Sequence, residues 1–136
     1  MIRTILIDDE PLARDIVKFY LNDHPEIEVV AECCDGFEGL KAITLHKPDL
    51  IFLDIQMPKI SGFEMLELVD DKPAVIFTTA FDEYAIKAFE VNAVDYLLKP
   101  ISYERFYKAA QKAQQMISPT LQEVVQQIHQ PAILFS

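Results

Sequence analysis

The chain has 136 residues, 51% of them hydrophobic and 25% charged, with a formal net charge of −10. That length and balance suit one globular domain able to bury most of its apolar surface, and they exclude a disordered or fibrous chain. The acidity excludes a segment that itself grips nucleic acid, because neutralising phosphates takes a basic face.

Strand and helix patterns alternate along the chain. Thr4–Ile7 reads as the first strand, and its apolar run stops at Asp8-Asp9. Glu10-Pro11 opens a helix, with proline tolerated in the first turn, and Leu12, Ile16, Phe19 and Tyr20 recur at helical spacing. Ile27–Cys33 is the second strand, where Glu28 and Glu32 interrupt the apolar pattern and suit a sheet edge. Phe37, Leu40, Ile43 and Thr44 mark a second helix that ends before Pro48. Leu50–Leu53 follows as a strand stopping at Asp54, then a helix from Ser61-Gly62 with Phe63, Leu66 and Val69. Ala74–Thr78 is the fourth strand, and Tyr84, Ala85, Ala88 and Phe89 mark the fourth helix. Asp95–Leu98 stops at Lys99-Pro100, and Ser102, with Arg105 and Phe106, starts the last helix of the domain.

This alternation predicts an α/β fold, a five-stranded parallel sheet doubly wound with helices on both faces. Strands one, three and four are nearly all apolar, as strands covered on both sides are. The order 2-1-3-4-5 fits best and puts the switch point between strands one and three. In such sheets ligands bind at the carboxyl edge, so Asp8, Asp9, Asp54 and Lys99 are expected along one rim. Carboxylates that close repel by about 4 kcal/mol per pair at 4 Å with an effective dielectric of 20. A divalent cation is the natural compensation, and Mg²⁺ is held in this way, by one or two carboxylates, water and a phosphate. A carboxylate beside such a metal can attack phosphorus to give an acyl phosphate. Lys99 then serves as counter-charge for the phosphoryl oxygens, and Thr78-Thr79-Ala80 brings a hydroxyl to the same rim.

Over residues 1–117 the chain resembles the receiver (phosphoacceptor) domain of two-component response regulators. The resemblance is carried by Ile7-Asp8-Asp9-Glu10, by Phe52-Leu53-Asp54-Ile55-Gln56-Met57-Pro58 with Gly62 following, by Thr79-Ala80, and by Tyr96-Leu97-Leu98-Lys99-Pro100. It implies a flavodoxin-like (βα)5 fold with Asp54 as the phosphorylation site. It also implies Mg²⁺ held by Asp9, Asp54 and the Gln56 main-chain carbonyl, with Asp8 assisting. Lys99 and Thr79 are implied as phosphoryl contacts, Thr79 and Tyr96 as the switch pair, and the Lys99-Pro100 bond as cis. Implied partners are a sensor histidine kinase and a second copy of the chain, with DNA reached only through a further C-terminal domain. The family implies a signalling phosphoacceptor, not an enzyme acting on other molecules. The segment Phe81–Leu97 is similar to regulators with a LytTR-type DNA-binding output.

Two other classes compete. A phosphohydrolase of the haloacid-dehalogenase type forms the same acyl phosphate, but needs a general acid two residues past the acceptor, where this chain has Gln56. A receiver-like interaction module that never takes phosphate is marked by loss of Asp9, Asp54 or Lys99, and all three are present. Gln56 and Phe81 flank the expected route of attacking water, and bulky Phe81 is expected to slow dephosphorylation.

Other features read as structural. Cys33 and Cys34 are adjacent and point to opposite faces of a strand, so small core fillers are expected instead of a metal or redox pair. His24, His46 and His129 have no partner at ligand spacing, and Asp35 and Asp95 read as turn or cap residues. Residues 118–136 read as a linker, in which Leu121, Val124, Val125 and Ile128 mark a further helix that packs on a partner subunit or an output domain. No leader-like start or membrane-length apolar stretch is seen, and a cytoplasmic setting without membrane contact is expected.

Overall fold

A computed structural model describes residues 1–118. Five parallel strands, β1 (Ile2–Ile7), β2 (Ile27–Cys33), β3 (Leu50–Asp54), β4 (Ala74–Thr79) and β5 (Asp95–Leu98), form one sheet in the order 2-1-3-4-5. Between and after them run α1 (Pro11–Leu21), α2 (Gly36–His46), α3 (Gly62–Glu67), α4 (Ala85–Glu90) and α5 (Tyr103–Ile117). A 3₁₀ turn, Asp82–Tyr84, leads into α4. This is the flavodoxin-like arrangement expected from the alternation. The tail helix expected around Leu121–Ile128 lies outside the described residues.

Alternate strand residues feed two cores, one on each sheet face. Leu6, Phe52, Ile76 and Leu97 pack with Val17 and Leu21 of α1 and with Phe106, Ala109, Ala110 and Ala113 of α5. Ile5, Ile7, Ile51, Leu53, Val75 and Phe77 pack with Ile43 of α2, with Phe63, Met65 and Leu66 of α3, and with Ala88 of α4. Three alanines on α5 let that helix lie close on the sheet, and Phe106 stacks on Phe52 with centroids 5.6 Å apart and planes 10° apart. Ser102, Ser61 and Asp35 cap α5, α3 and α2, each accepting from a backbone N–H in the first turn.

Of the four apolar residues named for α1, Tyr20 alone packs against the core, beside Phe106. Leu12, Ile16 and Phe19 are exposed, while Val17 and Leu21 are buried. The helix is apolar on two adjacent stripes, and spacing alone does not say which one the sheet takes. Phe37 on α2 and Phe89 on α4 also point to solvent. Cys33 is buried as expected, but Cys34 falls just past β2, is exposed, and donates its thiol to the Glu38 carboxylate at 3.3 Å. Asp35 is a cap, whereas Asp95 accepts from Arg105 and Lys112 of α5 as well as from the Tyr96 N–H.

Candidate acidic site at the carboxyl edge of the sheet

The switch in strand order places the ends of β1 and β3 side by side, and the site is built there. The Asp8 N–H donates to the Cys33 carbonyl at 3.0 Å, so the chain stays registered one residue past β1. Asp8 Oδ1 then accepts from the Glu10 N–H at 2.9 Å. This is a side-chain-closed turn of the kind aspartate favours, and Pro11 follows at the first helical position. The turn gathers three acidic residues at one point. Asp54 ends β3, pairs in register with Thr78, and reaches the same point. Carboxylate oxygens of Asp8, Asp9, Glu10 and Asp54 all lie within 4.8 Å of one another.

Lys99 arrives from the other side. Its N–H donates to the Thr79 carbonyl at 2.7 Å, which extends the β4–β5 ladder by one residue, and the Lys99-Pro100 bond is cis as the resemblance implied. The Lys99 Nζ lies 2.9 Å from Asp8, 2.8 Å from Glu10 and 3.5 Å from Asp54. The expected rim residues Asp8, Asp9, Asp54 and Lys99 are therefore one cluster. Sequence reasoning missed Glu10 as a partner of Lys99. Its only signal was a third acidic residue after the pair, which a helix start explains equally well.

Burial makes the cluster electrostatically uneven. Asp54 is 3% exposed, and that burial, with the Asp8 carboxylate beside it, pushes its pKa up to about 8 against the pull of Lys99. Burial alone lowers the Lys99 ammonium, but hydrogen bonds to Glu10 and Asp8 outweigh it and hold the group above its ordinary value. The cluster is short of positive charge. Its donors are all carboxylate oxygens, a set that suits a hard divalent cation such as Mg²⁺.

Around this cluster the remaining named residues take separate places. Thr79 is fully buried at the end of β4, and its hydroxyl oxygen accepts from the Phe81 N–H at 3.2 Å. Tyr96 is half-buried on β5, and its hydroxyl donates to the Phe81 carbonyl. Both members of the expected switch pair thus hold the same residue. Gln56 is exposed on the loop after β3, and its Nε2 donates to the Tyr84 hydroxyl at 2.7 Å. Tyr84 is a second residue that sequence reasoning missed at the site, having read it only as part of a helix pattern.

Gly62 keeps the acceptor strand and α3 in contact. A Cβ there falls 2.5 Å from the Asp54 carbonyl oxygen and 3.2 Å from the Ile55 Cα, both backbone atoms that cannot rotate aside. Gly62→Ala is expected to destabilise the domain by about 1–3 kcal/mol, the usual cost of overpacking. Urea unfolding measures it, and an unchanged midpoint would show that the β3–α3 loop yields freely.

This geometry is a doubly wound parallel sheet with clustered acids at the switch point and a lysine after the last strand, the arrangement that the resemblance to receiver domains implied. The description "response regulator receiver domain" matches residues 4–111, and the chain belongs to that family. It is 50% identical over 117 residues to the transcriptional regulatory protein BtsR of Escherichia coli strain K12, covering 85% of this chain and 49% of that protein. An uncharacterized response regulatory protein of Vibrio cholerae is 49% identical over 114 residues, covering 82% of this chain and 48% of the relative. The chain thus spans about half the length of the curated relatives it matches. Among solved structures, the response regulatory domain of protein mrkE from Klebsiella pneumoniae superposes with a TM-score of 0.79 at 34% identity, covering 87% of this chain and 99% of that one. The response regulator domain of Thermotoga maritima CheB gives 0.71 at 28% identity, covering 84% and 97%. Among the described residues, no helix is long and apolar enough to cross a membrane.

Proposed function

We propose that Asp54 accepts a phosphoryl group from the phosphohistidine of a sensor histidine kinase, and that the acyl phosphate switches the surface around α4, β5 and α5. The observation that carries this reading is the cluster itself. Asp54 is buried at a strand end within 4.8 Å of the Asp8, Asp9 and Glu10 carboxylates, with the Lys99 ammonium 3.5 Å away. In the transfer, an Asp54 oxygen forms a bond to phosphorus while the P–N bond to the kinase histidine breaks and leaves its electron pair on nitrogen. Asp8, Asp9, Asp54 and the Gln56 main-chain carbonyl would hold Mg²⁺. When bound, the ion neutralises charge on the transferring oxygens. Lys99 is already in reach of Asp54 and exchanges a carboxylate partner for a phosphoryl oxygen.

The switch is proposed to begin at Thr79. A hydroxyl that turns to the new oxygens gives up the Phe81 N–H, and the Tyr96 hydroxyl is bonded to the carbonyl of the same residue, so one movement frees Phe81 at both of its backbone groups. Phosphorylation then acts as a ligand that prefers one of two arrangements. Ile86 and Phe89 on α4 and Leu98 on β5 are 74%, 82% and 45% exposed, and we assign them to the surface where a second copy binds. The chain is read as the receiver portion, residues 1–117, of a longer cytoplasmic regulator. Its linker begins at 118 and leads to a LytTR-type DNA-binding output. That BtsR is named a transcriptional regulatory protein agrees with this reading.

Incubation with a small acyl phosphate tests the reading without the kinase. One phosphate per chain is expected in the intact mass with Mg²⁺ present and none after chelation. Equal labelling in both conditions would contradict the cation-assisted site.

A further inference from the structure

Tyr84 joins the acceptor loop to the switch segment. Its ring lies 6.0 Å from Phe63 and meets Phe81 edge-on at 6.4 Å, so it is packed between α3 and the β4–α4 connection. Its hydroxyl accepts from Gln56 Nε2 at 2.7 Å, across 28 residues of sequence. Gln56 is otherwise an exposed, long side chain on a loop, of the kind that samples many rotamers. The bond to Tyr84 fixes one end of its amide. The other end, Oε1, has no protein hydrogen bond among the described residues and is free to accept.

From this juxtaposition, and resting on the phosphoacceptor reading above, we propose that Tyr84 is a positioning residue for hydrolysis of the acyl phosphate on Asp54. It holds Gln56, two residues past the acceptor, so that the amide oxygen accepts a hydrogen bond from the attacking water. In this step the water oxygen forms a bond to phosphorus, and the bond between phosphorus and the Asp54 carboxyl oxygen breaks. The electron pair returns to the carboxylate, and the water protons leave with inorganic phosphate and solvent. Gln56 gains and loses no proton; it orients, as amides do toward water in other phosphoryl-transfer sites. Phe81 is held by Thr79 and Tyr96 and packs on Tyr84. The orientation of the water is thus tied to the arrangement of the switch segment, and the signal's lifetime to the state it reports.

The test compares wild type, Tyr84→Phe, Gln56→Leu and the double variant. Each is phosphorylated with acyl phosphate and Mg²⁺, stripped of donor, and followed by intact mass. Tyr84→Phe keeps the ring between Phe63 and Phe81, so the packing survives. It is expected to slow phosphate loss about fivefold, the worth of one hydrogen bond of about 1 kcal/mol, and to leave the rate of uptake unchanged. Gln56→Leu is expected to slow loss at least as much, and adding Tyr84→Phe to it is expected to change nothing further. A purely structural role predicts the opposite pattern, with uptake and loss moving together and the two effects adding. Decay of Tyr84→Phe at the wild-type rate, or an equal slowing in the Gln56→Leu background, would overturn the assignment while leaving the phosphoacceptor reading intact. Failure of the wild type to take up phosphate would instead overturn both.

Discussion

Asp54→Asn is expected to abolish Mg²⁺-dependent phosphate uptake and, in metal-free buffer, to make the domain more stable than the wild type. The two effects have one cause. A carboxylate that is 3% exposed and faces two more acids is held at a cost to the fold, and it is kept where a nucleophile and metal ligand are needed. The sign follows from proton linkage. The folded pKa stands at about 8 against an ordinary 3.8, so between those values the native state keeps a proton that the unfolded chain has released. The contribution of this carboxyl is present in full below the unfolded value and is lost as pH rises through the folded one. The advantage of Asp54→Asn is therefore expected to widen from about pH 4 to about pH 8, reaching on the order of a few kcal/mol, the pull of Lys99 being already contained in the folded value. Urea midpoints at pH 5 and pH 8 measure this directly. A variant less stable than wild type at pH 8 would mean that Lys99 already compensates the cluster.

Lys99→Ala is expected to act in the reverse direction and more strongly. The side chain is only 16% exposed and contacts Asp8 and Asp54, whose side chains are 9% and 5% exposed. Removing it leaves two buried carboxylates without their cation, and breaking such a pair from one side costs about 3 kcal/mol or more. Two further results distinguish charge from packing. Mg²⁺ at about 100 times its dissociation constant adds up to about 2.7 kcal/mol to any form that binds it, so the ion is expected to restore much of the loss. Combining Lys99→Ala with Asp54→Asn removes one of the stranded carboxylates, and Asp54→Asn is expected to stabilise the Lys99→Ala background by more than it stabilises the wild type. Additive effects of the two substitutions would show that Lys99 contributes through its alkyl stem and not through its charge.

The parts of this protein that were legible from sequence are those written in short, local patterns. Apolar strands ending in Asp8-Asp9, Asp54 and Lys99 announce both the sheet and its functional edge, because a buried parallel strand has no packing use for a charge. The edge position of β2 showed in Glu28 and Glu32, and the caps showed in Ser61 and Ser102. What escaped depends on packing across long separations. The period of α1 was right but the buried stripe was not, since Leu12, Ile16 and Phe19 compete with Val17 and Leu21 and only the sheet decides between them. Cys34 left its expected core place although the strand end at Cys33 was read correctly, because one residue past β2 it turns out to meet Glu38 of α2. Glu10 on Lys99 spans 89 residues and Gln56 on Tyr84 spans 28. No periodicity encodes either contact, and both became visible only when the loops met at the rim.

The most direct measurement is the position of the phosphate after brief exposure of the wild-type chain to acyl phosphate and Mg²⁺. Borohydride reduces an aspartyl phosphate to homoserine, and peptide mass mapping then locates the altered residue. Homoserine at position 54 alone, absent when Mg²⁺ is chelated, is the expected result. Phosphate carried on a serine, threonine or histidine, or reduction at a residue other than 54, would contradict it.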